Sequence, residues 1–174
     1  MAREVVLSRK FESRLEDLTQ LKEEVNGVLL YRPQGNYCPI ESIFMTGKGN
    51  EGHVAADPKR MEVVNEFFRR NPEYDYIKFH THSLGTIASN GEYFTTHFSE
   101  WDKISYDEQL KHHPGFIGMV ITPKTKLLYA PDCPSLMIVA GFPYEANERI
   151  QRELTKIMEN KCYGQVFEGR KYRS

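Results

Sequence analysis

The sequence predicts a mixed α/β fold in which helices cover both sides of a central mixed β-sheet. Two observations support this prediction. Short apolar runs rich in β-branched and aromatic residues, which are typical of buried strands, recur along the chain between amphipathic helical patterns. Strands and helices are intermixed instead of grouped, as expected for a sheet that carries helices on its faces.

The N-terminal part of the chain holds four predicted strands and two predicted helices. The first helix has apolar residues at spacings of three and four, and the second has an N-cap at Asp57, a proline at the first helical position and a stop at Asn71. The last strand of this part alternates in polarity and ends in two histidines. The predicted strands are 4–8, 24–33, 40–47 and 74–82, and the predicted helices are 8–23 and 57–72.

The C-terminal part begins with residues 83–98, which we expect to form a long loop because of Gly85 and Gly91. The pattern then predicts a helix, a hairpin that turns at "TPKTK", a strand and a closing helix. Apolar residues of the closing helix lie on one stripe and are expected to pack on the sheet. These elements are 99–115, 116–131, 135–142 and about 144–161, and the stripe is Ile150, Leu154 and Ile157.

Length and composition indicate an ordinary globular protein. A chain of 174 residues suits one domain, so we expect residues 1–174 to form a single domain. Charged residues make up 27% and the net charge is −1, which favours neither a nucleic-acid nor a membrane partner. No apolar run is long enough for a membrane span, and the N-terminus lacks an apolar signal region. Three widely spaced cysteines argue against a disulfide framework, so we expect a cytoplasmic protein.

The segment "HTH" contains the first candidate for a site. His80 and His82 are two residues apart in a predicted strand, so they point to the same face, and Thr81 points to the other. Two imidazoles on one face can hold the same metal ion. The alternative is that each histidine is an ordinary strand residue with a satisfied hydrogen bond.

The segment "SEWD" allows two interpretations. Ser99 and Asp102 have the spacing of a capping box, with Ser99 as the N-cap of the following helix. Asp102 would also suit as a third metal ligand, because a residue in the first turn of this helix can face back to the histidine strand. Three protein ligands leave a fourth tetrahedral position for water, which is the pattern of a catalytic zinc site.

A catalytic site of this kind needs a carboxylate to accept and return a proton. Glu24 is the candidate, because it opens an apolar strand where an acidic residue is unusual. Spacing alone does not select it. The alternative is a solvated residue at the entrance of the strand, beside Glu23.

The segments "EVNGVLLY", "HTH" and "SEWD", in this order, resemble the JAMM motif of the MPN-plus (JAB1/MPN/Mov34) zinc metalloproteases. The order of elements is also similar from about residue 2 to residue 140, and the "FHTH" form resembles archaeal homologues of the proteasome-lid deubiquitinase. The resemblance implies an MPN/JAB1-like sandwich of the cytidine-deaminase-like type. The matching positions are Glu24, His80, His82, Ser99 and Asp102.

This resemblance implies a zinc-dependent isopeptidase that releases ubiquitin or a ubiquitin-like modifier from its conjugates, with the proteasome as a further candidate partner. His80, His82 and Asp102 would bind Zn²⁺. Glu24 would be the general acid/base that acts on a zinc-activated water, and Ser99 would stabilise the oxyanion. These roles supply what amide hydrolysis requires.

The chain departs from the family pattern after the histidines. The family usually has a proline where this chain has Ser83 and a serine where it has Thr81, and the spacer from His82 to Ser99 holds 16 residues, more than in the common form. In deubiquitinating members this region holds the modifier's tail as an added strand. The aromatic residues expected to line such a groove, or alternatively to anchor the loop by packing, are Tyr93, Phe94 and Phe98.

Four other histidines and one tryptophan receive different expectations. His53 is expected to be solvated, and His112 and His113 to end a helix without binding metal. His97 is the competitor of Asp102 as third ligand, or alternatively contacts the ligands without binding the metal. Trp101 is expected to pack against the protein.

Rival functions stay open. The chain could be a zinc hydrolase of the same fold that acts on sulfur-carrier proteins or another amide. It could also be a non-catalytic MPN scaffold, although scaffolds typically lose motif positions that this chain keeps. Deaminase chemistry is disfavoured, because neither His-x-Glu nor Pro-Cys-x-x-Cys occurs.

Overall fold

The computed structural model describes residues 2–49 and 54–170, and for residues 162–170 only the helical backbone. Seven strands form one mixed sheet in the order β6-β5-β4-β2-β3-β1-β7. The strands are β1 (Glu4–Ser8), β2 (Val25–Tyr31), β3 (Tyr37–Lys48), β4 (Asp75–Thr81), β5 (Ile117–Ile121), β6 (Lys126–Tyr129) and β7 (Ser135–Val139). The helices are α1 (Arg9–Thr19), α2 (Pro58–Arg70), α3 (Leu84–Asn90), α4 (Glu100–His112) and α5 (Tyr144–Arg170), with a 3-10 turn at Glu92–Thr95.

This architecture confirms the predicted mixed α/β class. The sheet combines antiparallel pairs, such as β2 with β4, and parallel pairs, such as β4 with β5. The predicted hairpin is the antiparallel pair β5–β6. The two largest boundary differences are in helices: α1 ends at Thr19, four residues early, and α5 continues beyond residue 161 to Arg170.

Helices lie on both faces of the sheet, as predicted. On β2, Leu29 and Tyr31 join the apolar cluster that contains Phe11 and Leu15 of α1. Val28 and Leu30 point to the opposite face, into a cluster formed with α2 and α5. The stripe predicted on the closing helix packs in this second cluster and is buried; its members are Ile150, Leu154 and Ile157.

The face that carries α2 and α5 also carries α4. Tyr106 of α4 is buried in a third cluster with Phe116 and Val120. Because α2 and α4 cover different parts of one sheet face, a gap between them leaves the ends of β2 and β4 accessible. The candidate site lies in this gap.

The expectation of a long loop at 83–98 is wrong. Ser83 caps α3 by accepting a hydrogen bond from the backbone N–H of Thr86, and Gly91 ends α3 with a positive φ of 98°. The 3-10 turn follows directly. The two glycines suggested irregular structure, but Gly85 lies inside a helix and only Gly91 breaks one.

The expectation for His53 concerns a residue outside the described ranges. The side chain of Cys162 is also outside them. Cys38 and Cys133 are both free. Among the helices of the described ranges, none has the length and apolar character needed to cross a membrane.

Candidate metal centre

Strand β4 places the two histidines. It is paired on both sides, with His80 beside Asn26 of β2 and Val120 of β5. Thr81 points away, and its hydroxyl accepts a hydrogen bond from the N–H of Val25 at 2.9 Å. The N–H of His82 donates to the carbonyl of Ile121 at 2.9 Å, which keeps the chain extended past the strand end. The predicted same-face arrangement of His80 and His82 is therefore present, with their rings 5.3 Å apart.

Helix α4 brings the carboxylate to the histidines. Ser99 and Asp102 form a complete capping box, in which the N–H of Ser99 donates to Asp102 Oδ2 at 2.6 Å and the N–H of Asp102 donates to Ser99 Oγ at 3.1 Å. The same carboxylate lies 2.9 Å from His80 Nε2 through Oδ1 and 3.2 Å from His82 Nε2 through Oδ2. The capping prediction is thus confirmed, and the same carboxylate also lies beside both histidines, where it could help to hold a metal ion.

The three side chains form a group that could hold a metal ion. Each offers one ligand atom, and these atoms all lie within 4.8 Å of one another. His82 and Asp102 are buried, at 3% and 9% exposure. Two imidazole nitrogens and one carboxylate oxygen form a donor set found in catalytic zinc sites with an open position.

The hydrogen bond between His82 and the backbone of Phe94 determines the tautomer of the His82 ring. His82 Nδ1 lies 2.9 Å from the carbonyl oxygen of Phe94. A carbonyl only accepts, so Nδ1 carries the proton that it donates. In the neutral ring, Nε2 then presents its lone pair to the carboxylate, as in a metal-ligating histidine with an oriented tautomer.

His80 is oriented in the same way by a side chain. Tyr106 donates its hydroxyl proton to the carbonyl of Met119 at 3.2 Å, so its oxygen accepts from His80 Nδ1 at 3.1 Å. The Tyr106 ring lies directly on Gly118, where an added Cβ would be 2.7 Å from ring carbons. This close approach lets the hydroxyl reach under His80.

Two lone pairs that face one carboxylate repel it unless a positive species lies between them, either protons or a metal ion. The pKa shifts of Asp102 and His82 also favour positive charge at this position. Burial raises the pKa of Asp102, but hydrogen bonds with His80 and His82 outweigh it and hold the pKa far below its usual value. Burial lowers the pKa of His82, but the bonds with Asp102 and Phe94 outweigh it, so the pKa is raised. The residues present fit a divalent cation.

Glu24 lies in the same cleft. It immediately precedes β2 and is 5% exposed, so the alternative of a solvated strand entrance is wrong. Its Oε1 accepts a hydrogen bond from the hydroxyl of Thr86 at 2.9 Å. Burial raises the pKa of Glu24, and the Thr86 bond only partly opposes this. A carboxyl group with a raised pKa suits proton transfer near neutral pH.

The Ser83 departure has a structural role. Its hydroxyl donates to the carbonyl of Lys22 at 2.9 Å and also caps α3. This contact ties the exit of β4 to the segment that leads into Glu24. Thr86, which holds Glu24, is placed by the first turn of the helix that Ser83 begins.

A cleft of about 680 Å³ lies between the segment leading into α2 and helix α4. Its lining includes the three side chains of the metal group, Glu24 and Thr86. Ser99 lines it too, and within the described chain its hydroxyl is used only as an acceptor, so its proton is available to a substrate. The remaining lining residues are Asn26, Val54, Ala55, Ala56, Lys78, Asn90, Phe94, Trp101, Ser105 and Tyr106.

The other expected residues are distributed differently. Phe94 lines the cleft, whereas Tyr93 stacks on His97 with centroids 4.1 Å apart and Phe98 packs on Tyr129. Whether these aromatics contact a substrate stays a prediction. His97 is exposed and bonded to Tyr93 and Thr96, so the third member of the group is Asp102 and not His97.

Two further expectations concern α4. The expectation that Trp101 packs is wrong, because it is 80% exposed and lies on the rim of the cleft. His112 and His113 lie at the end of α4, outside the metal-ligand group, and each has a carboxylate oxygen 3.4 Å from its Nε2.

Sequence reasoning missed three residues of the site. Thr86 and Tyr106 carry no local signal, because their contacts with Glu24 and His80 arise from packing of distant segments. Lys78 does carry one: it precedes His80 by two residues and so shares its face of the strand.

Comparison with known proteins supports the fold alone. No protein-family model and no curated protein matches the chain. The solution structure of protein DSY2949 from Desulfitobacterium hafniense is similar, with a TM-score of 0.56 and 16% sequence identity. The similarity covers 82% of this chain and 98% of that one, so the shared α/β architecture spans most of both proteins.

Proposed function

We propose that this protein is a zinc-dependent hydrolase that cleaves the peptide or isopeptide bond after the C-terminal tail of ubiquitin or a ubiquitin-like modifier. The observation that carries the proposal is the convergence of His80, His82 and Asp102, with Glu24 in the same cleft. This is the residue set and order of the JAMM motif, and the chain retains all five positions. Retention of the complete set argues against a non-catalytic scaffold.

The residues divide the chemistry among them. His80, His82 and Asp102 would hold a zinc ion, which would supply positive charge to activate water and polarise the scissile carbonyl. Glu24 accepts the proton of the attacking water and delivers it to the leaving nitrogen. The hydroxyl of Ser99 donates a hydrogen bond to the developing oxyanion.

The choice of a modifier tail as substrate rests on the family resemblance. Conjugates of a ubiquitin-like modifier, and association with a proteasome, are therefore predictions about partners. A second candidate is hydrolysis of another amide, such as a sulfur-carrier conjugate, on the same site. Lys78 favours this wider class of amide substrates, because its positive charge beside the metal group suits a substrate with a negative charge.

The test is zinc content measured by elemental analysis, together with cleavage of a ubiquitin-like fusion. We expect about one zinc per chain in the wild type and little in His82→Ala. The wild type should cleave the fusion, and His82→Ala should not. His112→Ala is the control, because His112 is 79% exposed and outside the metal group. Zinc retained by His82→Ala would overturn the site. Zinc bound as expected with no cleavage of any modifier fusion would overturn the substrate assignment.

Tyr106→Phe should weaken zinc binding while preserving the fold. The change removes the oxygen that accepts from His80 Nδ1, so His80 loses its preferred tautomer. Loss of such an outer partner costs about 10–100-fold in metal affinity, measured by competition with a chromogenic chelator. Tyr129→Phe is the matched control, because it removes a tyrosine hydroxyl that donates to exposed Asp107, outside the metal group. Equal zinc affinity in both variants would contradict the role of Tyr106.

A further inference from the structure

Lys78 lies on the cleft side of β4, one step further along the strand from the histidines. Residues two apart in a strand share a face and are separated by roughly 6–7 Å. Lys78, His80 and His82 therefore form a row. Lys78 lines the same cleft as the two metal-ligand candidates.

Lys78 is the last residue along this face of β4 that lines the cleft. Its neighbours across the sheet are Val28 of β2 and Gly118 of β5, and the Tyr106 ring covers Gly118. The next residue on this face is Tyr76, which packs against two apolar clusters and is not part of the cleft lining. Along this face of β4, the lining of the cleft therefore extends no further than Lys78.

The Lys78 ammonium makes no ion pair or hydrogen bond with any residue in the described part of the chain, although the carboxylates of Glu24 and Asp102 line the same cleft. Most charged side chains with little exposure are paired. Asn26, which pairs with His80 on the adjacent strand, lines the same cleft, and its Oδ1 accepts a hydrogen bond from the Thr46 hydroxyl at 3.0 Å. The amide NH₂ of Asn26 is then left to donate within the cleft.

We propose that Lys78, assisted by Asn26, binds a carboxylate of the substrate in this cleft. One ammonium and one amide match a carboxylate, whereas a phosphate calls for more donors and charge. The inference rests on the proposed hydrolase function, because it names the substrate class of that site: amides that carry a carboxylate close to the scissile bond. The carboxylate belongs either to a chain terminus or to an acidic side chain.

The first experiment measures binding to the full chain freed of metal with a chelator, so that no zinc can capture the carboxylate. The probes are N-trifluoroacetyl-glycine and its carboxamide, N-trifluoroacetyl-glycinamide, followed by fluorine NMR. We expect the wild type to bind the acid about tenfold or more tightly than the amide. Lys78→Met should bind both equally, and Lys59→Met, an exposed lysine of α2, should behave like the wild type.

A third probe distinguishes the two sources of carboxylate. N-trifluoroacetyl-aspartic acid α-amide carries only a side-chain carboxylate. Tighter binding of this probe than of the glycine acid indicates an acidic side chain, and the reverse indicates a chain terminus. Equal binding of acid and carboxamide to the wild type, or an acid preference kept by Lys78→Met, overturns the proposal.

The second experiment separates this inference from the hydrolase proposal. With zinc-loaded protein, peptide amides that differ only by carboxylate or carboxamide are compared by kcat/KM. A Lys78-dependent carboxylate preference in binding without hydrolysis of any amide overturns the hydrolase and leaves the carboxylate site. Hydrolysis with the same kcat/KM for both members of each pair leaves the hydrolase and overturns the carboxylate site. Far-ultraviolet circular dichroism of Lys78→Met confirms that the variant is folded.

Discussion

Glu24→Gln is expected to lower kcat by about 10³-fold, within the range that a positioned general acid/base contributes, while zinc content stays at the wild-type level. Glutamine keeps the size and the Thr86 contact of Glu24 but cannot take up a proton. Glu24 is not a member of the metal group, so the ion is retained. The measurement is kcat on a ubiquitin-like fusion beside elemental analysis of the same sample.

The matched control is Glu23→Gln. Glu23 is the neighbouring carboxylate, but it is paired at the surface with Lys48 at 3.0 Å. The lysine lowers the pKa of Glu23, whereas burial raises the pKa of Glu24. Glu23→Gln should keep wild-type kcat. Activity retained by Glu24→Gln, or lost equally in both variants, would contradict the role of Glu24.

The raised pKa of Glu24 also predicts the sign of a pH effect. As a base, Glu24 must be ionised, so the acid limb of kcat/KM should lie at a higher pH than for an ordinary carboxyl group. A raised folded-state pKa means that the folded protein holds this proton more tightly, so ionisation costs stability as the pH rises. Glu24→Gln should therefore be as stable as the metal-free wild type at low pH and equally or more stable at neutral pH.

Asp102→Asn is expected to lower zinc affinity by about 100-fold or more and to leave α4 intact. This loss is larger than the loss on removing a residue that only hydrogen-bonds to a metal ligand. Asparagine retains an oxygen that can accept from the N–H of Ser99, so the capping box is largely preserved. It removes the negative charge that faces His80 and His82. The metal-free protein should lose more stability than the change of cap alone would cost, because the bonds with His80 and His82 that hold the pKa of Asp102 down are lost as well.

Asp57→Asn is the control for this prediction, because Asp57 caps α2 through the N–H of Lys59 at 2.8 Å and is not part of the metal group. It should keep both stability and zinc affinity. Isothermal titration with zinc and urea unfolding measure the two quantities for each variant. Zinc affinity that is unchanged in Asp102→Asn would show that Asp102 is a capping residue only.

Ser83, which directly follows the two histidines, connects two parts of the cleft wall. Ser83 begins α3 and bonds to the carbonyl of Lys22, so the segment before Glu24 is held by the exit of β4. A proline there has no hydroxyl to make either contact. In this chain, Ser83 begins the helix that carries Thr86, and Thr86 holds Glu24 through its hydroxyl.

The sequence by itself determined the features that depend on local periodicity. The two-residue period of a strand placed His80 and His82 on one face, and the capping spacing placed Ser99 and Asp102 at the start of α4. The mixed α/β class and the buried stripe of α5 followed from the same kind of pattern. These signals are contained in neighbouring residues, so no tertiary contact is needed to detect them.

Only the tertiary structure decided the features that depend on burial and on distant contacts. It selected Asp102 over His97 as the partner of the histidines, and it buried Glu24, whose sequence neighbourhood suggested solvent. It brought Tyr106 under His80 and placed Lys78 in the same cleft. Proximity between segments and the removal of charge from water arise when the sheet and its helices pack, and no local spacing in the chain encodes them.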